Sequence, residues 1–154
     1  MKITYKGDYA LKALFELALR HDEEGDSVMS ITEIAKRGDM PTKFLEQILL
    51  TLRKGGFVKS KRGINGGFSL ARSAKDITVG EIVRFIEGPI EPISCVKEDK
   101  YKGCKDMASC IFRGVWQEVA LATSKVVDNL TLADLILRYR EKRDRVRSGY
   151  EYAI

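Results

Sequence analysis

Residues 30–71 read SITEIAKRGDMPTKFLEQILLTLRKGGFVKSKRGINGGFSLA, and this stretch decides the fold. Ser30 followed three residues later by Glu33 is a capping-box pattern, which predicts the start of a short helix that ends at Gly38. Pro41 suits the first turn of a second helix, which buries one apolar face and stops at a pair of glycines. Two short helices joined by a tight, glycine-containing turn predict a helix-turn-helix.

Two short alternating segments follow the second helix, and they predict the strands of a hairpin: Phe57–Ser60 and Phe68–Ala71. The connection between them is basic, rich in glycine and carries an Asn-Gly turn signal. Glycines and cations at a hairpin tip let the backbone approach a phosphate or enter a narrow groove. A plain turn explains the glycines equally well, but not their position directly after a basic helix-turn-helix. We therefore interpret the hairpin as a wing.

Further helices are predicted on both sides of this unit. Apolar spacing predicts a helix over Tyr9–Arg20, followed by a polar loop at His21–Asp26. Capping-box patterns beginning at Thr78 and Thr131 predict two more helices. The last of these fades into the charged run Arg138–Arg147, which we expect to be a solvated, fraying tail.

A long helix is predicted before the last one, and its apolar residues are spaced 3-4-3-4 along a heptad seam. The seam consists of Phe112, Val115, Val119, Ala122 and Val126. A heptad seam requires a helical partner, although the helix could instead dock on its own core. We expect it to form the interface of a homodimer, because helix-turn-helix proteins commonly dimerise on DNA. The predicted fold is mainly α with a small β-hairpin wing: a winged helix-turn-helix plus a long dimerisation helix.

Three regions are predicted along the chain. Residues 1–88 form the DNA-binding domain, residues 89–110 a cysteine-containing loop, and residues 111–154 the dimerisation helix and the C-terminal helix. The hydrophobic content of 44% is enough for a core. Neither a secretion signal nor a membrane span is visible, so we expect a cytoplasmic protein.

The positive charge is concentrated in the predicted DNA-binding unit. The 154-residue chain has a net charge of +5, and residues 36–72 hold nine Lys/Arg against two acidic residues. One basic segment on an otherwise neutral chain is typical of a surface that binds a polyanion. An ordinary solvated face would show the same count, so charge alone does not decide between the two.

The three cysteines, Cys95, Cys104 and Cys110, all lie within sixteen residues. An odd number of clustered cysteines argues against a disulfide framework and suggests metal binding or thiol chemistry. An enzyme is disfavoured, because the sequence has no nucleotide-binding loop, no catalytic-triad spacing and a single histidine, His21.

The chain resembles the Rrf family of bacterial winged-helix regulators, and the resemblance covers nearly all of it to about residue 130. The matching segments are GDYAL at 7–11, FLEQI at 44–48, LRKGG at 52–56, GGFSLA at 66–71 and TVGEI at 78–82. The resemblance extends through the cysteine loop, because some family members carry three cysteines there that hold an iron–sulfur cluster.

The resemblance therefore implies an iron–sulfur cluster held by the three cysteines, with [2Fe–2S] favoured and [4Fe–4S] possible. The chain also departs from the family pattern at one position. Arg113 stands where one member has a ligating histidine, and an arginine cannot release its proton to bind iron. The resemblance to a nitric-oxide-sensing member points to Asp8 as the fourth ligand. A favourable interaction with the helix dipole would explain Asp8 equally well, and zinc could occupy the same ligands.

The predicted partner is double-stranded DNA with a palindromic operator. Phosphate contacts are expected from Lys43, Lys54 and Lys61. Base readout is expected from Thr42, Glu46 and Gln47, since glutamine pairs with adenine and glutamate accepts from cytosine. Arg62, beside Gly63 at the wing tip, is predicted to enter the minor groove. The resemblance implies a repressor that senses cluster status and controls genes of cluster biogenesis or of the iron, redox or nitric-oxide response. The alternative is a cluster-free family member that acts through thiol oxidation or a protein partner.

Overall fold

The computed structural model describes residues 3–97, 104 and 106–149. In this part of the chain, helices predominate and two strands form the only sheet. The elements are α1 (Tyr5–Glu24), α2 (Ile31–Arg37), α3 (Thr42–Lys54), β1 (Val58–Lys61), β2 (Gly67–Leu70), α4 (Val79–Glu87), α5 (Ser94–Lys97), α6 (Ile111–Asp128) and α7 (Leu132–Arg147), with a 3-10 turn at Ala74–Asp76. The predicted fold class, mainly α with a hairpin wing, is confirmed.

Helices α2 and α3 form the helix-turn-helix. The Ser30 hydroxyl accepts a hydrogen bond from the Glu33 backbone N–H, as the cap pattern predicts. Gly38 closes α2 at φ −87°, and the left-handed position of the turn belongs to Asp39 at φ 50°. Aspartate tolerates this conformation better than most residues, which is why the turn remains tight without a second glycine.

The wing pairs β1 with β2 in antiparallel register, from Val58 opposite Leu70 to Lys61 opposite Gly67. At the tip, the Gly66 N–H donates to the Gly63 carbonyl oxygen at 2.9 Å, and Gly63 has φ 111°. The Asn-Gly pair therefore fills the last two positions of this turn, and not its centre as the hairpin signal suggests. The reason is that Gly63 supplies the left-handed residue earlier in the connection.

A third segment supports the wing from behind. Met29 and Phe68 exchange two backbone hydrogen bonds of 2.8 Å. A Cβ on Gly67 would lie 2.3 Å from the Met29 carbonyl oxygen, so a larger residue cannot fit without moving the backbone. The glycine before Phe68 thus allows the hairpin to approach the body of the domain.

Helix α1 lies at the centre of the core, and it contacts α2, α3, α4, β2 and α7. It is longer than predicted: it begins after a cap at Thr4, and it runs through the predicted polar loop to Glu24. Gly25, at φ 72°, ends it. The acidic residues of its last turns were expected in a loop, but acidic side chains are compatible with an exposed helical face.

Helix α7 belongs to the same core. Leu132 and Ile136 are buried, and Tyr139 contacts Phe15 edge-on with ring centroids 5.5 Å apart. The Thr131 cap is a complete capping box with Asp134. The charged run 138–147, predicted as a fraying tail, is helical to its end. The predicted division of the chain at residues 88 and 110 stays a prediction.

Helix α6 lies on the outside of the fold, and none of its residues is buried. Its inner face meets α4, where Arg84 binds both Asp128 and the Ser124 hydroxyl, the latter at 3.0 Å. The predicted heptad seam lies on another face and is exposed. Among the described helices, none is long and apolar enough to cross a membrane.

Candidate DNA interface and cysteine segment

The exposed face of α3 carries the side chains that were predicted to contact the bases and phosphates of DNA. The opposite face is buried through Leu45, Ile48, Leu49 and Leu52. The residues of α3 that were predicted to contact DNA are all exposed: Thr42, Lys43, Glu46, Gln47 and Lys54. Helical spacing of three and four residues brings them to one side, as a recognition helix requires.

Leu50 lies in the middle of this face and is partly exposed, with 39% of its surface accessible. Sequence reasoning did not single it out, because leucine is usually assigned to a core. The signal was available, since Leu50 falls outside the spacing of the four buried residues. An apolar side chain at this position can contact a thymine methyl group in the major groove.

The wing tip projects three predicted DNA-binding residues into solvent: Lys61, Arg62 and Gly63 are all exposed. The neighbouring Ile64 is also fully exposed. The wing is tied to the recognition helix by a hydrogen bond of 3.2 Å from an Arg53 guanidinium N–H to the Ser60 hydroxyl. This contact fixes the angle between the helix and the hairpin.

The cations of the candidate interface are unpaired. Within the described ranges, no ion pair involves Lys43, Lys54, Lys61 or Arg62, whereas Lys59 in the same hairpin binds Asp26 at 3.1 Å. Free ammonium and guanidinium groups on one surface attract a polyanion, because no carboxylate among the described residues forms an ion pair with them.

The cysteines lie between α4 and α6, and all three are free thiols. Cys95 is half-buried in α5, Cys104 is exposed, and Cys110 is the half-buried N-cap of α6. The Arg113 Nε–H donates to the Cys95 carbonyl oxygen at 3.1 Å, which joins α5 to α6. Residues 98–103 and 105 of the predicted loop lie outside the described residues.

The structure does not bring the predicted ligands together. In the parts of the chain that it describes, no group of three His, Cys, Asp or Glu side chains is placed to hold a metal ion. Asp8 lies in the first turn of α1 and pairs with Lys12 at 2.8 Å. The hydrogen bond that this ammonium donates to the Asp8 carboxylate raises the pKa of Lys12. The ammonium engages the Oδ2 atom of Asp8, which leaves Oδ1 for a ligand role.

The start of α1 is anchored to the end of α4. The Glu87 carboxylate accepts hydrogen bonds from the Thr4 hydroxyl at 2.7 Å and from the Thr4 backbone N–H at 2.9 Å. These bonds, the hydroxyl first, lower the pKa of Glu87. A Cβ on Gly7 would lie 2.2 Å from the same carboxylate, so glycine permits the close approach. Asp8 is thereby held near the point where the chain enters the cysteine segment.

The donor set fits an iron–sulfur cluster in its chemistry. Iron in such clusters prefers thiolate ligands, and three are available here. Cys110 caps α6 without a side-chain hydrogen bond to its first turn. The open N–H groups of that turn favour an anionic ligand set beside them. His21 does not contribute to the set, since it lies exposed in the last turns of α1.

Comparison with known proteins relates the chain to transcriptional regulators. A sequence model of the Rrf2 family, described as an iron-dependent transcriptional regulator, matches residues 3–138. A putative helix-turn-helix regulator of Rhodobacter capsulatus, described as rrf2-like, is 44% identical over 137 residues, which are 87% of this chain and 91% of the relative.

Two solved structures carry the same fold. CymR, the global cysteine regulator of B. subtilis, has a TM-score of 0.74 and 34% identity, covering 90% of this chain and 98% of CymR. T. potens IscR has a TM-score of 0.72 and 34% identity, covering 92% of this chain and 90% of that protein.

Proposed function

Since the chain belongs to the Rrf2 family of transcriptional regulators, we propose that it binds a palindromic DNA operator as a homodimer and that an iron–sulfur cluster on its cysteines controls this binding. Members of this family are regulators and not enzymes. As part of this proposal, we expect the protein to act in the cytoplasm, where bacterial DNA is accessible, and to act as a repressor.

The proposed DNA contacts follow the usual division of a winged helix-turn-helix. Helix α3 enters the major groove, with Thr42, Glu46 and Gln47 facing the base edges. Lys43 and Lys54 neutralise phosphates on either side. At the wing, Lys61 binds the backbone and Arg62 reaches the minor groove, where the exposed backbone of Gly63 permits close approach.

The proposed dimer uses the exposed seam of α6. Phe112, Val115, Val119 and Val126 are 62%, 51%, 41% and 67% exposed on one face of this helix. A contiguous apolar surface of this kind marks an interaction site. A second copy of the chain is the natural occupant, because a twofold dimer matches a palindromic operator.

The observation that carries the cluster proposal is the set of three free thiols next to this interface. Cys95, Cys104 and Cys110 would hold the cluster, and Asp8 is the proposed fourth ligand, from the same chain or from the partner subunit. When bound, an iron–sulfur cluster supplies sensitivity to oxygen, nitric oxide or iron supply. We favour [2Fe–2S] over [4Fe–4S]. The description of the family as an iron-dependent transcriptional regulator supports iron over zinc.

The chain's own residues would position the cluster. Arg113 holds the backbone of Cys95, and Cys110 lies at the beginning of the proposed dimer helix. Ligands on α5 and at the start of α6 would tie these two helices to each other, because a bound cluster fixes the relative positions of its ligands. The orientation of the two α3 helices in the dimer would then depend on the cluster.

A second candidate function is a cluster-free regulator that acts through thiol oxidation or a protein partner. The similarity to CymR, a global cysteine regulator, favours it, as does the finding that the described cysteines are not gathered into one group.

Anaerobic purification separates the two candidates. Visible absorption with about two or four iron and sulfide ions per chain is expected for a cluster protein. A colourless protein without iron, whose DNA affinity changes on reversible thiol oxidation, would support the second candidate. Replacing all three cysteines by alanine should preserve the general affinity for DNA, and binding should no longer depend on the cluster or on oxidation.

A further inference from the structure

The end of α7 continues beyond the body of the protein. The helix is anchored through buried Leu132 and Ile136, and its last aromatic contact is Tyr139 on Phe15. Residues 141–149 are exposed on every side. About two turns of helix, roughly 10 Å at 1.5 Å per residue, therefore project from the core.

This projecting segment is strongly basic. Residues 138–147 contain six cations and two acids. The cations are Arg138, Arg140, Lys142, Arg143, Arg145 and Arg147. In the part of the chain that the structure describes, no ion pair involves Lys142, Arg145 or Arg147. A helix that is polar all round is usually supported by pairs of opposite charge, and here these are few.

The position of the segment relates it to the wing. Arg140 binds Asp22 in the last turns of α1. Four residues further along the chain, Asp26 binds Lys59 on the hairpin at 3.1 Å. The projecting helix and the wing are thus attached to the same end of α1. Lys61, with its free ammonium group, lies only two residues beyond Lys59 on β1.

We propose that the end of α7, residues 138–147, is a second DNA contact, which binds backbone phosphates of the duplex beside the wing. The inference rests on the proposed DNA-binding function and extends it beyond α3 and the hairpin. Duplex DNA carries one negative charge per about 1.7 Å of its axis, so a helix with free cations along it finds several phosphates within reach. The contact is independent of base sequence, because no side chain of this segment needs to enter a groove.

The physical consequence is a larger release of counterions on binding. Each phosphate that a protein cation neutralises adds about 0.9 to the slope of log affinity against log salt. If Lys142 and Arg145 both contact phosphates, their removal lowers the slope by about 2. Random-sequence DNA should show the effect as clearly as an operator.

The test uses the full chain and a random-sequence duplex of about 40 base pairs, titrated between about 50 and 200 mM KCl. The double variant Lys142→Ala with Arg145→Ala keeps the helix, because alanine has the highest helix propensity. The matched control is Lys75→Ala with Lys125→Ala, which removes the same charge from exposed positions of the 3-10 turn and α6. We expect the slope to fall by about 1 to 2 for the α7 variant and to stay constant for the control.

An unchanged slope for the α7 variant overturns the inference, as does an equal fall in both variants, which would reflect net charge alone. If the slope is unchanged and binding to vesicles of phosphatidylserine is lost instead, the basic helix serves a membrane surface. A wild-type protein that binds neither random DNA nor its own promoter region refutes the proposed function itself, which keeps the two failures distinct.

Discussion

Val119→Asp on α6 is the sharpest test of the proposed dimer. Val119 lies in the middle of the exposed seam, between Val115 and Ala122, and α6 has no residue buried by its own chain. In a twofold dimer, the substitution occurs twice in one interface. Each copy loses about 1 kcal/mol of apolar burial and adds about 1–2 kcal/mol for a poorly solvated carboxylate. The sum, about 5 kcal/mol, weakens the dimer by roughly 10³- to 10⁴-fold.

Sedimentation velocity over a range of protein concentrations measures this change directly. The matched control is Leu121→Asp, because Leu121 is 70% exposed on α6 but lies far from the seam around the helix. We expect Val119→Asp to be monomeric at concentrations where the wild type and Leu121→Asp are dimeric, with equal helix content by circular dichroism. A Val119→Asp protein with the dissociation constant of the wild type would refute the assignment of α6 as the interface.

Four further outcomes are expected. Arg62→Ala should weaken operator binding by about 1–3 kcal/mol in fluorescence anisotropy at fixed salt, and unchanged affinity would exclude groove contact by the wing. Leu132→Ala should lower the free energy of unfolding by about 2–5 kcal/mol in urea, whereas a loss under 1 kcal/mol would mean that α7 is not part of the core. Asp8→Ala should speed the loss of visible absorption in air, and an equally stable cluster would require another fourth ligand. The hydrogen bond from Arg84 lowers the pKa of Asp128, so the pair stabilises the folded state fully above about pH 4 and this contribution is lost as the pH falls through the depressed pKa. Asp128→Asn should therefore flatten the fall of the melting temperature in that range. An unchanged dependence of the melting temperature on pH would contradict the pairing.

The helix-turn-helix and the wing could be predicted from the sequence because short-range chemistry specifies them. A serine cap starts α2, a proline precedes α3, and glycines close both helices and the hairpin. Each of these signals acts within a few residues, and each agrees with the apolar pattern beside it. Agreement between local signals is what makes such a segment predictable.

The place of α7 could not be predicted, because its contacts join residues far apart in the chain. Phe15 meets Tyr139, and the backbone of Ile77 accepts a hydrogen bond of 3.0 Å from the Leu132 N–H. A local sequence pattern does not indicate which residue, more than 50 positions away, a side chain will contact. The length of α1 was also underestimated, since caps at Thr4 and Gly25 extend it past its apolar stripe.

The faces of α6 were partly predictable. The heptad seam was recognised, and it is exposed as a partner interface requires. A second apolar strip, formed by Trp116, Ala120 and Val127, lies beside the seam, and Ala120 and Val127 are half-buried. The contact with α4 is largely polar, through Arg84 and Asp128. Hydrophobic periodicity does not register such a contact, because it counts apolar residues alone.

The cysteine segment shows most clearly what could not be predicted from the sequence. Three cysteines in sixteen residues indicate metal or thiol chemistry, but they do not specify which. Ligand geometry depends on how the segment closes, and it can depend on a second subunit and on the metal itself. None of these acts at short range in the sequence of one chain.

Helix α1 provides a physical route from the cysteine segment to the bases. Glu87, one residue before the chain leaves α4 at Gly88, holds the start of α1 through Thr4. One to two turns further along α1, the Tyr9 ring packs edge-on against Phe44, 5.8 Å between centroids, in the first turn of α3. Two contacts thus separate the cysteine segment from the recognition helix. The wing is attached at the other end of α1, about 30 Å away for a helix of 20 residues.

Because the cysteine segment lies near the start of α1 and the wing near its end, a change in the cysteine segment should affect α3 and the wing differently. A change in that segment that displaces Glu87 acts first on the start of α1, and therefore on the start of α3, where Thr42, Glu46 and Gln47 lie. The wing is held at the far end of α1 by the pair of Asp26 and Lys59, and it joins α3 at the last turn of that helix, through Arg53 and Ser60. Under the proposed function, the state of the cysteines should therefore alter which bases α3 accepts more than it alters the phosphate contacts of the hairpin. A regulator built in this way retains its general affinity for DNA while its choice of operator changes.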